Sequence, residues 1–166
     1  MPREKSCYPL RMASAADRYW AQFKKAHPKA PKKYVESFFF GTKPEIAHEI
    51  TRLVIDGTKT ATGSVQWAYE ADEKPEPAVG DHWIVTNGSD DPACIIATTE
   101  VHTIPFGSVG MEWALWGGEG DRTLASWRRM YWRYVVSECQ RIGRDPTEDA
   151  PLVMERFGVV YSEPAK

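Results

Sequence analysis

The chain has 166 residues, 42% of them hydrophobic and 27% charged, with 12 Gly and 12 Pro, a balance that excludes a disordered or fibrous polymer. At this length roughly 70% of the unfolded surface can be buried, so a core forms without metal or disulfide staples. The net charge of -2 argues against a surface coated for nucleic acid, but it averages two unlike parts: residues 1–60 hold 12 Lys/Arg against 6 acids, and the remainder 9 against 17. The basic part either presents a local anion-attracting face or solvates an exposed helix.

Cys7, Cys94 and Cys139 are odd in number and widely spaced, which gives neither a disulfide framework nor a metal or redox pair. The amino end lacks the apolar run of a signal peptide, and no stretch approaches the ~18 apolar residues of a membrane helix. A cytoplasmic, reducing location is the expectation. Met12, followed by Ala13 and Ser14, can itself serve as a start, so residues 1–11 carry no expected structural role.

Ser14 followed by Asp17 reads as a helix start, and Tyr19, Trp20 and Phe23 supply its apolar stripe before Pro28 and Pro31 break the pattern. Residues 34–40, with Phe38, Phe39, Phe40 and then Gly41, are too apolar for water and are expected to pack that helix on the domain; ligand stacking is the other reading. Thr42-Lys43-Pro44-Glu45 reads as a capping box for a second helix carrying Ile46, Ile50, Leu53 and Val54, stopped by Gly57. A hydroxyl-rich turn, residues 58–62, leads into an expected strand over 64–69 and an exposed acidic loop over 70–79.

A tight turn at Val79-Gly80-Asp81 precedes two paired strands, residues 82–86 and 94–101, joined by a longer loop. Residues 105–120 are Gly- and Trp-rich. Asp121 is expected to cap a third helix with Leu124, Trp127, Tyr131, Tyr134, Val135 and Glu138 near one face, and residues 152–161 to form a closing strand. Short strands broken by helices give an α+β domain, a small partly closed barrel with helices packed on its outside. An amino-terminal extension, residues 1–40, carries the basic amphipathic helix, and residues 41–166 form the domain proper.

Motif searches mostly fail: there is no phosphate loop, no dinucleotide fingerprint, no H-E-x-x-H and no G-x-S-x-G. His27, His48, His82 and His102 never fall at ligand spacing, so neither a metal nor another cofactor is expected. Two places carry candidate chemistry. Lys59 lies among Thr58, Thr60 and Thr62 at the end of a helix. It can hold a phosphate or carbonyl oxygen or, desolvated, act as a base; equally, it can compensate the helix dipole, an arrangement worth ~0.3–1 kcal/mol. Glu119, in the segment Glu119-Gly120-Asp121, has no evident structural duty beside a capping Asp121, or else sits in a surface loop. Arg128 follows on the next helix and either pairs with a phosphate or is solvated.

At these residues the chain resembles the ASCH domain family, small cytoplasmic proteins similar in fold to the PUA-like barrels that handle RNA. The resemblance covers residues 46–162 and is carried by IDGTKTATGSVQWAYE, VGDHWIV, ACIIATTEVHTIPF, GGEGDRTLASWR and VMERFGVVY, in that order. It implies an RNA-related role, with RNA or a modified nucleoside as partner and no membrane. Two activities are known among members: a ribonuclease, and an amidohydrolase removing the acetyl group of N4-acetylcytidine with a lysine, a threonine and a glutamate. Carried over by position, these are Lys59, Thr62 and, with a one-residue insertion, Glu119; Asp121 and Glu100 are the other acids that can fill the third place.

The first reading is a ribonuclease of single-stranded RNA. Lys59 stabilises charge on phosphorus, Thr60 and Thr62 hold phosphate oxygens, Glu119 is the acid or base, and Thr58, Tyr69, Asp121 and Arg128 bind substrate. Trp67, Tyr69 and Trp116 are the rings offered to bases. In the amidohydrolase reading, neutral Lys59 activates Thr62 toward the acetyl carbonyl and Glu119 protonates the leaving amine. A third reading, a non-catalytic RNA-binding or adaptor module, uses the same cleft without turnover.

Overall fold

The computed structural model describes residues 13–163, so Cys7 and the expectation for residues 1–11 lie outside the described residues. Helix α1, Ala15–Ala26, opens with the expected capping box: the Asp17 amide donates to Ser14 Oγ at 3.1 Å, and the Ser14 amide donates to Asp17 Oδ2 at 3.2 Å. Its stripe of Ala16, Tyr19, Trp20 and Phe23 is buried against Ile84 and Ile95 of the sheet, with Tyr34 and Tyr161 packed at the margin.

Strand β1, Ser37–Phe38, leads to α2, Pro44–Ile55. The capping box expected at Thr42 does not form. Lys43 is the N-cap and gives no side-chain bond, leaving Pro44 at the first helical turn to set the start. Gly57, at φ +81°, ends the helix region as expected.

The strand expected over 64–69 is corrected. β2 is Ala61–Val65, and the chain turns at once into α3, Gln66–Ala71. Val65, Trp67 and Tyr69 suggest a strand by propensity, but Gln66, Ala68, Glu70 and Ala71 are ordinary helix residues, and burying Ala68 on the core settles the contest. β3, His82–Thr86, and β4, Pro92–Pro105, pair antiparallel as expected, β4 being longer than the sequence indicated.

A one-turn helix, Phe106–Ser108, and α4, Met111–Gly117, occupy the Gly- and Trp-rich segment. The cap of α5, Leu124–Ile142, is Thr123 rather than Asp121: Thr123 Oγ1 accepts from the Ser126 amide at 3.2 Å. Asp121 instead accepts from the Thr123 amide and hydroxyl, at 2.9 and 2.7 Å, and so orients the cap. β5, Pro151–Ser162, closes the chain.

The five strands form one mixed sheet in the order β1-β3-β4-β5-β2, parallel only between β1 and β3, and the sheet does not close. The α+β architecture is as expected. Breaks in register at Ile95/Ile96 and Thr98/Glu100 let β4 pair with β5 along its length while β3 and β2 lie at opposite ends of that pair. Around it, α1 covers one face of β3 and β4, Phe40 and α2 cover the other, and α3, α4 and α5 bury the β2 end.

Among the described residues no helix is long and apolar enough to cross a membrane. Cys94 and Cys139 are buried free thiols.

Candidate functional site

The turn between α2 and β2 is built by backbone bonds. The Lys59 amide donates to Leu53 O at 2.9 Å, the Thr60 amide to Trp116 O at 2.7 Å, and Thr60 O accepts from the Phe157 amide at 2.9 Å. Gly118, at φ +71°, packs so closely that a Cβ there would stand 2.6 Å from Thr58 O and 2.9 Å from Lys59 Cα. Only glycine fits.

That packing turns the Lys59 side chain inward, where it is 2% exposed. Its amine donates to Ala61 O at 2.9 Å, to Gly117 O at 3.2 Å and to Glu119 Oε2 at 3.1 Å, so all three N–H bonds are used. The Phe40 ring lies 5.3 Å from Nζ. Burial pushes the amine below its ordinary value, and the Glu119 carboxylate draws it partly back. Glu119 remains partly solvated, its side chain 19% exposed.

Beside this pair lies a cleft of about 660 Å³. Thr62 and Ser64 point into it from β2, Tyr69 from α3, Tyr134 and Glu138 from α5, Phe38, Phe39 and Phe40 from the β1 segment, and Trp83, Ile96 and Glu155 from the sheet. β2 is an edge strand, and two of its N–H groups are taken by α5: Gly63 donates to Tyr131 Oη and Val65 to Tyr134 Oη, both at 3.1 Å. Tyr131 also shares a hydrogen bond with Thr62, and burial pushes its phenol up to about 12. Tyr69 and Tyr134 each bond Ser64 and are likewise pushed up to about 12 by burial.

Of the sequence candidates, the structure joins Lys59 to Glu119 and places Thr62 and Tyr69 in the adjoining cleft. Thr58 and Thr60 belong to the turn backbone; the Thr58 amide donates to Asp56 Oδ1. Asp121 is exposed and orients the capping Thr123, whose amide and hydroxyl donate to its carboxyl and hold it below the usual range. Arg128 is exposed and donates to Gly107 O at 3.3 Å. Trp67 carries Arg144 on its face at 4.6 Å and Trp116 carries Arg156 at 4.0 Å; neither ring lines the cleft.

Sequence reasoning missed Glu155, Thr98 and Trp83. Trp83 Nε1 donates to Thr98 Oγ1 at 3.0 Å, and the Thr98 hydroxyl donates to Glu155 Oε2 at 3.0 Å. Burial, reinforced by Asp81, pushes the Glu155 carboxyl upward against the Thr98 bond. The available signal was a lone acid inside the apolar strand VMERFGVV. Among the described residues no group of three or more His, Cys, Asp or Glu is gathered to hold a metal ion.

The ASCH domain family model matches residues 36–161. The chain belongs to the ASCH domain family. This family is associated with RNA binding. The chain is similar to an ASCH domain from Lactobacillus crispatus JV V101, at 28% identity and a TM-score of 0.82, over 93% of this chain and 99% of that one. It is also similar to a protein of Enterococcus faecalis V583, at 28% identity and a TM-score of 0.81, over 88% of each chain. No curated protein matches it. A likeness over 93% of 166 residues reaches into the segment ahead of residue 41, where α1 packs on the sheet.

Proposed function

We propose that this ASCH domain hydrolyses the N4-acyl group of an acylated cytidine, with Thr62 as nucleophile and Lys59 and Glu119 as the proton-handling pair. The observation that carries this reading is the buried Lys59–Glu119 contact beside a cleft that Thr62 lines. Lys59 spends two N–H bonds on the Ala61 and Gly117 carbonyls and the third on Glu119, the one partner of the three that can take a proton. Passing one proton from Lys59 to Glu119 leaves a neutral amine and a neutral acid, with no net charge buried.

In that state the Thr62 oxygen attacks the acyl carbon and its proton goes to the Lys59 amine. The C–N4 bond breaks as Glu119 gives its proton to N4, releasing cytidine. Glu119 then takes a proton from water, the resulting hydroxide attacks the acyl-threonine ester, and Lys59 returns the proton to Thr62. Acetic acid leaves and gives its proton to water, so that the Lys59 amine is again neutral and Glu119 protonated, the state from which the attack began.

The lining favours a nucleoside over a phosphodiester. Glu36 pairs with Lys74, the one cation of the lining, and Asp72 and Glu138 pair with Arg141, so the lining offers no unpaired cation to a phosphate while leaving its rings free to stack on a neutral base. The test is to incubate the protein with N4-acetylcytidine and, separately, with a single-stranded RNA oligonucleotide, and to identify products by mass spectrometry. Cytidine and acetate with intact RNA are expected. RNA fragments made by the wild type and absent with Lys59→Met would replace this reading by the ribonuclease, and binding of either probe without turnover would replace it by the binding module.

A further inference from the structure

The cleft holds a second polar device that the hydrolytic scheme leaves unused. Thr98 is 2% exposed, and its hydroxyl is fixed from both sides. An indole N–H can only donate, so the Trp83 bond makes Thr98 Oγ1 an acceptor and commits its single proton to Glu155 Oε2. Glu155 Oε1 has no partner among the described residues, and the side chain lines the cleft. Glu155 is also the register partner of Thr62 across the β2–β5 pair, so its carboxyl stands on the same face as the Thr62 hydroxyl, one strand away.

We infer that Glu155 reads the base, its Oε1 pairing with the N3 edge of a pyrimidine nucleoside lodged in the cleft among Tyr69, Trp83 and Phe38. This rests on the reading of the cleft as a nucleoside site and specifies which edge of the base it recognises. A carboxylic acid offers one donor and one acceptor side by side, and the cytosine N3/N4 edge offers the complementary acceptor and donor. Burial favours the protonated acid that this pairing requires. Placing the base edge on Glu155 brings N4, and any acyl group on it, toward the neighbouring strand, where Thr62 stands. The Trp83–Thr98 relay keeps the carboxyl from turning away, a buried polar chain in which each member has its partner.

The experiment is calorimetric titration with cytidine, which the enzyme does not turn over, and with 3-deazacytidine, which lacks the N3 acceptor. Wild type is expected to bind cytidine about tenfold more tightly than 3-deazacytidine, as one lost hydrogen bond to a buried group costs. Glu155→Leu is expected to weaken cytidine binding about tenfold and to abolish the preference, while Glu155→Gln, which keeps a donor beside an acceptor, stays within about threefold of wild type. Thr98→Val leaves the carboxyl in place without its orienting bond and is expected to fall between the two, which guards against a Glu155→Leu that does not fold.

Equal binding of the two nucleosides by wild type, unchanged cytidine affinity in Glu155→Leu, or no cytidine binding by wild type each overturns the inference. Glu155-dependent cytidine binding in a protein that leaves N4-acetylcytidine intact would uphold it and remove the hydrolase reading alone.

Discussion

The hydroxyl of Tyr131, on α5, accepts the amide of Gly63, on the edge strand β2, at 3.1 Å. It also shares a bond with the neighbouring Thr62, so one buried phenol ties the strand edge and the proposed nucleophile to the long helix. Tyr131→Phe leaves the Gly63 N–H without its partner. Stability is expected to fall by about 1–3 kcal/mol in urea melts, and turnover of N4-acetylcytidine by roughly tenfold.

Glu119→Gln strands the Lys59 amine in a site where it is 2% exposed. A loss of about 2–4 kcal/mol at neutral pH is expected. The pH dependence follows from burial, which lowers the folded-state value of Lys59 below its ordinary 10.5; Glu119 opposes the shift. Without Glu119 the folded amine holds its proton less well while the unfolded one is unchanged. The unfolded state then binds more protons, so the stability of the variant rises with pH up to about 10.5, more steeply than that of wild type. Melts across neutral to alkaline pH check the slope.

Gly118→Ala places a methyl group 2.6 Å from the Thr58 carbonyl oxygen at a φ of +71°. Both the contact and the backbone conformation oppose it, and the expected cost is about 2–4 kcal/mol. Because the displaced backbone is that of Thr58 and Lys59, activity is expected to fall even below the melting temperature, measured on protein whose circular dichroism is native. Gly57→Ala, which meets nothing within 4 Å but shares the positive φ, is expected to cost less and to spare the site.

Much of this architecture is legible in the residues. Ser14 with Asp17 announces α1, Pro44 announces α2, and the spacing of Trp127, Tyr131 and Val135 gives the buried face of α5. The short helices α3 and α4 were not legible. Six or seven residues carry too little periodicity to outweigh aromatic content, and their form is set by the core they cover.

At the site, Lys59 and Glu119 are 60 residues apart in sequence, and their contact depends on α4 delivering Gly117 and Gly118 against the turn. Glu155 was invisible for another reason. Its role comes from the Thr98 bond and the cross-strand register with Thr62, and register is not written in either strand alone.

Glu155 also gives a stability signature. Burial raises its folded-state value above the ordinary 4.5, so the folded protein holds that proton longer than the unfolded chain. The contribution is fully present below about pH 4.5 and is lost as pH rises through the folded value. Glu155→Gln is expected to lack this loss, so its stability relative to wild type grows across that window, as paired denaturant titrations at acidic and neutral pH would show.

The central claim is that Thr62, served by Lys59 and Glu119, cleaves an N4-acyl bond. The most direct test is release of cytidine from N4-acetylcytidine by wild type and Thr62→Ala side by side, followed by chromatography. The account predicts sustained release by wild type and a rate lowered about a thousandfold or more in Thr62→Ala, measured on protein whose circular dichroism is native. No release by wild type, or equal release by both proteins, would contradict it.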